Sequence, residues 1–260
     1  MIRGIYAVVV LDLKRAWLDR ARLITGLAQP LLYLFVLGAG LAGNSRVSGP
    51  AFQRAIFPGV MGLTLLFTSV FMAISIVFDR QMGFLKAVLV APLPRAAIAF
   101  GKIASGALQA LAQGLILLPF AFLVGIHFGV VSGLMFLGTM ILAAVTFSAI
   151  GVAVASLFTS TTVFPIVSNT IILPMWFLSG SLYPLAMAPH WMQAAAHFDP
   201  VAYAVDLMRG VVLGVYFFPP ALSLGVLLTI IGLLGAAAVR VFNRGEDDSI
   251  LGPTGTRWRR

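Results

Sequence analysis

The stretch that decides the fold is a short charged insert between two long apolar runs, at residues 78–95: FDRQMGFLKAVLVAPLPR. One face of a helix through this insert would hold Met82, Leu85, Val88 and Leu89. That spacing is typical of an amphipathic helix. The prolines near its end stop the helix, because proline lacks an N–H donor and clashes with the preceding turn. The pattern favours a helix lying against a membrane, and a loop with one incidental helical turn is the alternative.

The composition is that of an integral membrane protein. Of the 260 residues, 60% are hydrophobic and 10% are charged, and the mean hydropathy is +1.04. Soluble domains are about a quarter charged. The apolar runs are unbroken and do not alternate with polar residues, so they predict helices rather than strands.

Cysteine content and net charge exclude further classes. The chain has no cysteine, which excludes disulfides and thiolate metal sites, and no metal-ligand spacing is present. A net charge of +9 would also fit nucleic-acid binding. The basic residues instead stand at the ends of apolar runs and form no continuous patch, which favours a membrane protein without a nucleic-acid partner.

Six apolar runs each reach the roughly 20 residues that a helix needs to cross about 30 Å of hydrocarbon. With the N-terminus in the cytoplasm, fourteen of the 17 Lys and Arg residues lie inside, and Arg46, Arg54 and Arg209 lie outside. The positive-inside rule therefore predicts that both termini are cytoplasmic. The predicted spans are residues 23–43, 56–78, 100–125, 133–157, 163–183 and 220–242.

The N-terminal segment, residues 1–22, is amphipathic. Its polar face includes Asp12 and Arg15, and its apolar face includes Tyr6 and Trp17. This pattern predicts a helix lying in the membrane interface, with its apolar face towards the membrane and Trp17 at headgroup depth. An extension of the first span is the alternative.

The segment between the fifth and sixth spans, residues 184–214, predicts two short helices separated at Asp199. Neither is long enough to span, so both are expected to lie at, or dip into, the outer leaflet. In the second helix, Asp206 and Arg209 are one turn apart and able to pair. The polar, glycine-containing end at residues 243–260 is predicted to be a mobile cytoplasmic tail.

The dipeptide Gly101-Lys102 invites comparison with a phosphate-binding loop. A Walker A loop needs Gly five residues before its second Gly, and Ser or Thr after its Lys. Those positions are Ala96 and Ile103. The chain is therefore predicted not to bind ATP by that route, and Lys102 is predicted to anchor the third span at the interface.

The predicted spans contain hydroxyl and amide groups but no charged residues near their middles. Ion-coupled carriers bury ionisable groups along their path, so the pattern argues against proton or sodium coupling. A hydroxyl- and amide-lined cleft with much apolar surface suits an amphipathic or lipid-like cargo, and hydrogen bonding between helices is the alternative. Asn169, near the middle of its run, is the best single cavity candidate. The polar residues are Thr64, Thr68, Ser69, Ser75, Gln109, Gln113, Thr146, Ser148, Ser168, Asn169 and Thr170.

Three stretches carry a resemblance to a known family. They are FDRQMGFL (78–85) through LVAP (89–92) to GK (101–102), PMWFLSG (174–180) through YP (183–184) and PHW (189–191), and DPVAYAVDLMRG (199–210). Their order and spacing, along nearly the whole chain, resemble the membrane subunit of a type-2 ATP-binding-cassette (ABC) exporter. That class includes drug-resistance, polyketide and surface-polysaccharide exporters.

The resemblance implies an all-α membrane protein of six transmembrane helices that acts as a permease in the plasma (inner) membrane. Two such subunits, expected as a homodimer among membrane lipids, would pair with two copies of a separate ATPase. ATP and Mg would then bind to the ATPase, with no cofactor and no catalytic residue on this chain. The cargo would leave the cytoplasm or the inner leaflet.

The resemblance also implies roles for three sets of residues. Residues 79–95 resemble the cytoplasmic coupling and gating segment, residues 1–22 the connecting helix beside it, and residues 184–214 the extracellular re-entrant helices. The ATPase-coupling set is Arg15, Asp79, Arg80, Met82, Phe84, Leu85 and Leu89. The substrate-pathway set, on the second and fifth spans, is Thr64, Thr68, Ser69, Ser168 and Asn169. The extracellular-gate set is Trp191, Asp199, Tyr203, Asp206 and Arg209.

A polytopic membrane enzyme acting on lipids is the alternative function. Its acid–base groups would be the outward-facing His190, His197 and Asp199. This alternative predicts turnover by the purified chain without nucleotide.

Overall fold

The computed structural model describes residues 1–18, 20–37, 49–81 and 94–244. Within these ranges every regular element is a helix, which confirms the all-α prediction. The α-helices are α1 Ile2–Leu18, α2 Arg20–Leu32, α3 Gly49–Met72, α4 Ile74–Gln81, α5 Arg95–Leu117, α6 Pro119–Leu123, α7 Val130–Ser156, α8 Val163–Leu178, α9 His190–Ala196, α10 Pro200–Leu213 and α11 Pro220–Arg244. A π-helical turn at Tyr33–Leu37 follows α2, and a 3-10 turn lies at Leu185–Met187.

Four helical segments are long and apolar enough to cross a membrane: Phe52–Asp79, Ala96–Leu123, Val130–Ser156 and Pro220–Arg240. They correspond to the second, third, fourth and sixth predicted spans. The shortest has 21 residues, or about 31 Å at 1.5 Å per residue, which matches the hydrocarbon thickness.

The first and fifth predicted spans contain shorter apolar helices, Gly26–Val36 and Val163–Leu178. The second of these covers only about 24 Å, and the backbone turns soon after it at Gly180, whose φ of 74° is in the left-handed region. Part of the first predicted span, residues 38–43, lies outside the described residues. The described residues therefore contain four candidate spans, and a count of six stays a prediction.

The core of the bundle is formed by α3, α5 and α7, which pack on one another. Close approach depends on glycine: a Cβ on Gly151 of α7 would lie 2.9 Å from the backbone Cα of Val70 on α3. Helix α11 covers α5 and α7, and α2 and α8 make fewer contacts at the edge of the bundle. Helix α10 is inserted among α3, α7 and α11, and its residues 201–210 are all buried.

Helix α1 packs along α5, with Val8 against Gly101. The face of α1 that holds Asp12 is therefore turned towards the protein, whereas Tyr6 is exposed. This reverses the expected orientation, in which the Asp12 face would meet water. The reason is electrostatic: α5 offers Asp12 a buried cation, Lys102.

Candidate functional site

A buried ionic cluster connects α1, α4 and α5 at the end of the bundle where α4 finishes and α5 begins. We call this cluster the ionic junction. Its residues come from three helices that are far apart in the sequence, so it forms only when these helices pack together. Its members are Asp12, Arg15, Ser75, Asp79, Lys102 and Ser105.

Lys102 is the centre of the ionic junction. Its Nζ donates to Asp12 Oδ1 at 3.0 Å, to Asp79 Oδ2 at 2.9 Å and to Ser75 Oγ at 3.2 Å. An ammonium group has three N–H donors, so this arrangement satisfies all of them. Ser105 Oγ donates to the second oxygen of Asp12, at 2.9 Å. Each carboxylate therefore accepts hydrogen bonds on both of its oxygens, Asp12 from Lys102 and Ser105, and Asp79 from Lys102 and Arg15.

The prediction that Lys102 is an interfacial anchor is wrong. Its side chain is 7% exposed and paired with two carboxylates. An anchor would extend its ammonium group into water, whereas Lys102 is held between α1 and α4. A buried charge is tolerated only when it is paired and hydrogen-bonded, and both conditions hold here.

Of the predicted ATPase-coupling residues, the structure brings Arg15 and Asp79 together. Arg15 Nη1 donates to Asp79 Oδ1 at 3.3 Å. Near the same place, Thr161 Oγ1 donates to Gln81 Oε1 at 2.9 Å, which ties the last residue of α4 to the α7–α8 connection. Arg80 is on α4, and the remaining members lie outside the described residues: Met82, Phe84, Leu85 and Leu89.

Two cavities of about 280 Å³ each lie beside the ionic junction and share Met72 and Gln109. The first, between α2, α3 and α5, is lined by Gly26, Gln29, Pro30, Leu63, Thr64, Phe67, Thr68, Phe71, Met72, Gln109 and Gln113. The second includes Asp12, Arg15 and Asp79 of the junction. Ala73 forms the turn that separates α3 from α4, and its two neighbours in the sequence line the cavities: Met72 lines both and Ile74 lines the second.

The predicted substrate-pathway residues do not all meet. Thr64 and Thr68 line the first cavity. Ser69 is buried and donates to the backbone oxygen of Ala144 at 3.4 Å, so it links α3 to α7. Ser168 is buried on α8, and Asn169 is exposed on the surface of α8. Neither lines either cavity, because α8 packs at the edge of the bundle.

At the opposite end of the bundle, α10 is held by buried polar contacts. Asp206 accepts hydrogen bonds from the backbone N–H groups of Phe217 and Phe218, at 2.9 and 3.0 Å. Arg209 donates to the backbone oxygen of Gly180 at 2.6 Å. The prediction that Asp206 and Arg209 pair is therefore wrong. Each side chain instead hydrogen-bonds to backbone groups of the connecting segments that pack around α10: Asp206 to N–H groups and Arg209 to a carbonyl oxygen.

The other predicted gate residues surround the start of α10. Asp199 caps α10, its Oδ1 accepting from the N–H of Val201 at 2.8 Å. Tyr203 donates its hydroxyl to the backbone oxygen of His197 at 2.8 Å. Trp191 is on α9 and is 65% exposed. Four of the five residues are thus on α10 or at its cap, and Trp191 is on the neighbouring surface.

Burial raises the pKa of the Asp199 carboxyl from 3.8 to about 7, partly offset by the hydrogen bond from Val201. Because folding raises this pKa, the protonated Asp199 stabilises the folded state, and its contribution is complete below the unfolded-state pKa of 3.8. It is lost as the pH rises through about 7. The folded segment around Asp199 is therefore expected to be more stable in mild acid than in mild base.

We expect Asp199→Asn to remove this pH dependence, because the amide keeps the capping oxygen and cannot ionise. The unfolding free energy of the variant minus that of wild type should rise by about 2 kcal/mol from pH 5 to pH 8, because only wild type loses stability as its carboxyl ionises. Thermal unfolding in detergent at both pH values measures it. Parallel pH dependence in the two proteins would contradict the assignment.

The lipid-enzyme alternative is not supported. Asp199 is engaged as a helix cap, and Nδ1 of His197 lies 2.8 Å from the backbone oxygen of Gln193. His190 is exposed at the first position of α9. Over the described part of the chain, no group of three His, Cys, Asp or Glu residues could hold a metal ion.

The ionic junction is the feature that sequence reasoning missed. The sequence pattern places Asp12 on the polar face of an interfacial helix and Lys102 at the membrane interface. A signal was present, since Asp12 follows the apolar run AVVVL and Lys102 begins another. A charge embedded in apolar sequence needs a partner, and the sequence offered opposite charges at the ends of two such runs.

These observations define the class: a polytopic helical membrane protein with a buried ionic junction at one end and a buried short helix at the other. Comparison with known proteins gives the family. The family described as "ABC-2 type transporter" matches residues 3–213, and the chain belongs to that family.

Relatives with established names support the same assignment. Nodulation protein J of Rhizobium leguminosarum bv. trifolii is 32% identical over 197 residues, which are 75% of each chain. Nodulation protein J of Rhizobium meliloti is 29% identical over 210 residues, 80% of each chain. The "Probable doxorubicin resistance ABC transporter permease protein DrrC" of Mycobacterium tuberculosis (strain ATCC 25618 / H37Rv) is 27% identical over 226 residues, 85% of this chain and 80% of the relative.

Proposed function

We propose that this chain is the permease subunit of an ATP-driven exporter. It would move an amphipathic or lipid-like substrate out of the cytoplasm or the inner leaflet, powered by a separate ATPase subunit. The observation that carries the proposal is the family match over residues 3–213. A relative named as an ABC transporter permease supports the same role.

The proposed topology has six spans, with both termini in the cytoplasm of the plasma (inner) membrane. The short apolar helices in 23–43 and 163–183 complete the count, and α9 and α10 are re-entrant from the outside. The distribution of Lys and Arg supports this orientation. So does the burial of α10, since a helix too short to span needs protein around its backbone ends.

The ionic junction gives the proposal a mechanical basis. It connects α1 and the start of α5 to Asp79, the first residue of the coupling segment. A displacement of the coupling segment would therefore reach α1 and α5 together, because separating buried charges is unfavourable. Two ATPase copies beneath a homodimer could supply the displacement. ATP binding shifts the conformational equilibrium only by its differential affinity for the two states.

The coupling segment tests the proposal. We expect Phe84→Ala together with Leu85→Ala to weaken assembly with the ATPase by about tenfold or more, because buried apolar side chains dominate interface energies. ATP hydrolysis by the complex should lose its stimulation by the permease. The assay is co-purification followed by ATPase measurement in nanodiscs.

The matched control is Phe198→Ala, a change of the same type at the other end of the molecule, where Phe198 is 90% exposed. It should leave assembly unchanged. If the double variant assembles and stimulates the ATPase like wild type, the segment is not the coupling handle.

A further inference from the structure

The first cavity, between α2, α3 and α5, contains a buried amide with an unsatisfied oxygen. Gln109 is 7% exposed, and its Oε1 accepts no hydrogen bond from the described residues. Native proteins rarely bury such an atom without a ligand, an ion or a water molecule as its partner. Gln109 lines the cavity, but Oε1 itself is closed off in this conformation, so a bound molecule would reach it after a rotation of the side-chain amide.

The other polar residues described in the lining are uncharged. Gln113 and Thr64 are almost fully buried, and Thr68 is half-buried. The remaining surface is apolar, from side chains such as Phe67. No Lys, Arg, Asp or Glu is among the described residues that line this cavity. Among these described lining residues, a charged headgroup would find no counter-ion to replace its hydration.

We propose that this cavity binds the hydroxylated headgroup of an uncharged amphipath, with Gln109 as the residue that recognises it. A hydroxyl group both donates and accepts, so it can satisfy the oxygen and an N–H of the same amide. Pockets that enclose drug-sized ligands measure about 300–1,000 Å³. A cavity of about 280 Å³ therefore suits a headgroup, and the tail would leave past Gln29, which is exposed on α2.

The position of the cavity connects it to the ionic junction. Gln109 is about two turns, or about 10 Å, along α5 from Lys102. Gln109 and Met72 also line the second cavity, which contains Asp79. An occupant would thus contact both α5 and the helix that ends at the Ala73 turn. The inference deepens the proposed export function and rests on it only for identifying the bound amphipath as cargo.

The test is equilibrium binding of three radiolabelled lipids with one tail to the full chain in nanodiscs, without ATPase. They are 1-lauroylglycerol, its dimethyl ether, which has no hydroxyl, and lauroyl lysophosphatidate, which is anionic. We expect 1-lauroylglycerol to bind saturably, at about one per chain, and each of the others about tenfold more weakly.

Gln109→Leu should weaken binding of 1-lauroylglycerol about tenfold, leave binding of the ether unchanged, and leave the thermal midpoint the same or higher. Gln53→Leu, a matched change outside the described cavity lining, should leave the binding of 1-lauroylglycerol unchanged. Thr68→Val is a second cavity variant in case Gln109→Leu fails to fold, and it should also weaken binding of 1-lauroylglycerol.

Equal binding of all three lipids, no saturable binding, or unchanged binding in the Gln109 and Thr68 variants would overturn the inference. Because binding is measured without the ATPase, its failure is distinct from a failure of ATP-driven export. A chain that couples to an ATPase yet binds none of the lipids would retain the proposed function and lose this site.

Discussion

Lys102→Met is expected to destabilise the protein by about 3–5 kcal/mol, the typical effect of removing one partner from a buried ion pair. The variant leaves the carboxylates of Asp12 and Asp79 buried beside each other without their shared cation. Methionine fills a similar volume, so the loss should come mainly from charge rather than from packing. Thermal unfolding in detergent, with monodispersity on gel filtration, measures the effect.

Two further variants make this prediction specific. Lys14→Met removes an exposed lysine from α1 and should change the midpoint little, because exposed charges contribute little. Adding Asp12→Asn and Asp79→Asn to Lys102→Met removes the unpaired charges and should restore a large part of the stability. If Lys102→Met unfolds at the same temperature as Lys14→Met, the ionic junction does not hold α1, α4 and α5 together.

Asp206→Ala is expected to destabilise the opposite end by about 2–4 kcal/mol. One carboxylate accepts from two backbone N–H groups, at Phe217 and Phe218, and alanine leaves both without an acceptor. Burial raises the pKa of this carboxyl, and the same two hydrogen bonds lower it in part. Thermal unfolding gives the loss of stability, and hydrogen exchange at the two amides locates it.

Asp248→Ala, in the predicted tail, is the control for the loss of one carboxylate. It should leave both the midpoint and the exchange rates unchanged. Protection of the Phe217 and Phe218 amides in the Asp206 variant equal to that in wild type would contradict the assigned role of Asp206.

Helix positions were predictable from the sequence wherever an apolar run was long or a cap was clear. Residues 190–213 show this: the Asp199-Pro200 step predicted a boundary between two short helices, and the structure has one there. Proline suits the first turn of a helix, and aspartate is a preferred N-cap, so local chemistry was sufficient.

The partners of buried polar side chains were not predictable, because they depend on which helices meet. Spacing along one helix suggested that Asp206 and Arg209 pair, but α10 is surrounded by backbone groups that need partners more. Spacing on α1 suggested that Asp12 faces water, but α5 brings Lys102 to it. Helical periodicity predicts which residues share a face of one helix, but it does not predict which other helix packs against that face.

The candidate cavity shows the same limit. Thr64, Thr68, Gln109 and Gln113 stood out as polar residues within apolar runs, whereas Gln29 did not. Only the packing of α2 against α3 and α5 shows which of them share a space. Asn169, chosen for its central place in its run, is on an exposed surface instead.

The central claim is that a separate ATPase drives conformational change in this chain. The sequence has no cysteine, so one introduced cysteine is a unique label site. Ala202 is fully buried on α10, and Ala202→Cys should react slowly with a maleimide unless that end of the bundle opens. We expect ATP to accelerate labelling only when the ATPase is present and able to bind it. Labelling that ATP leaves unchanged in the complex, or accelerates in the purified chain alone, would contradict the account.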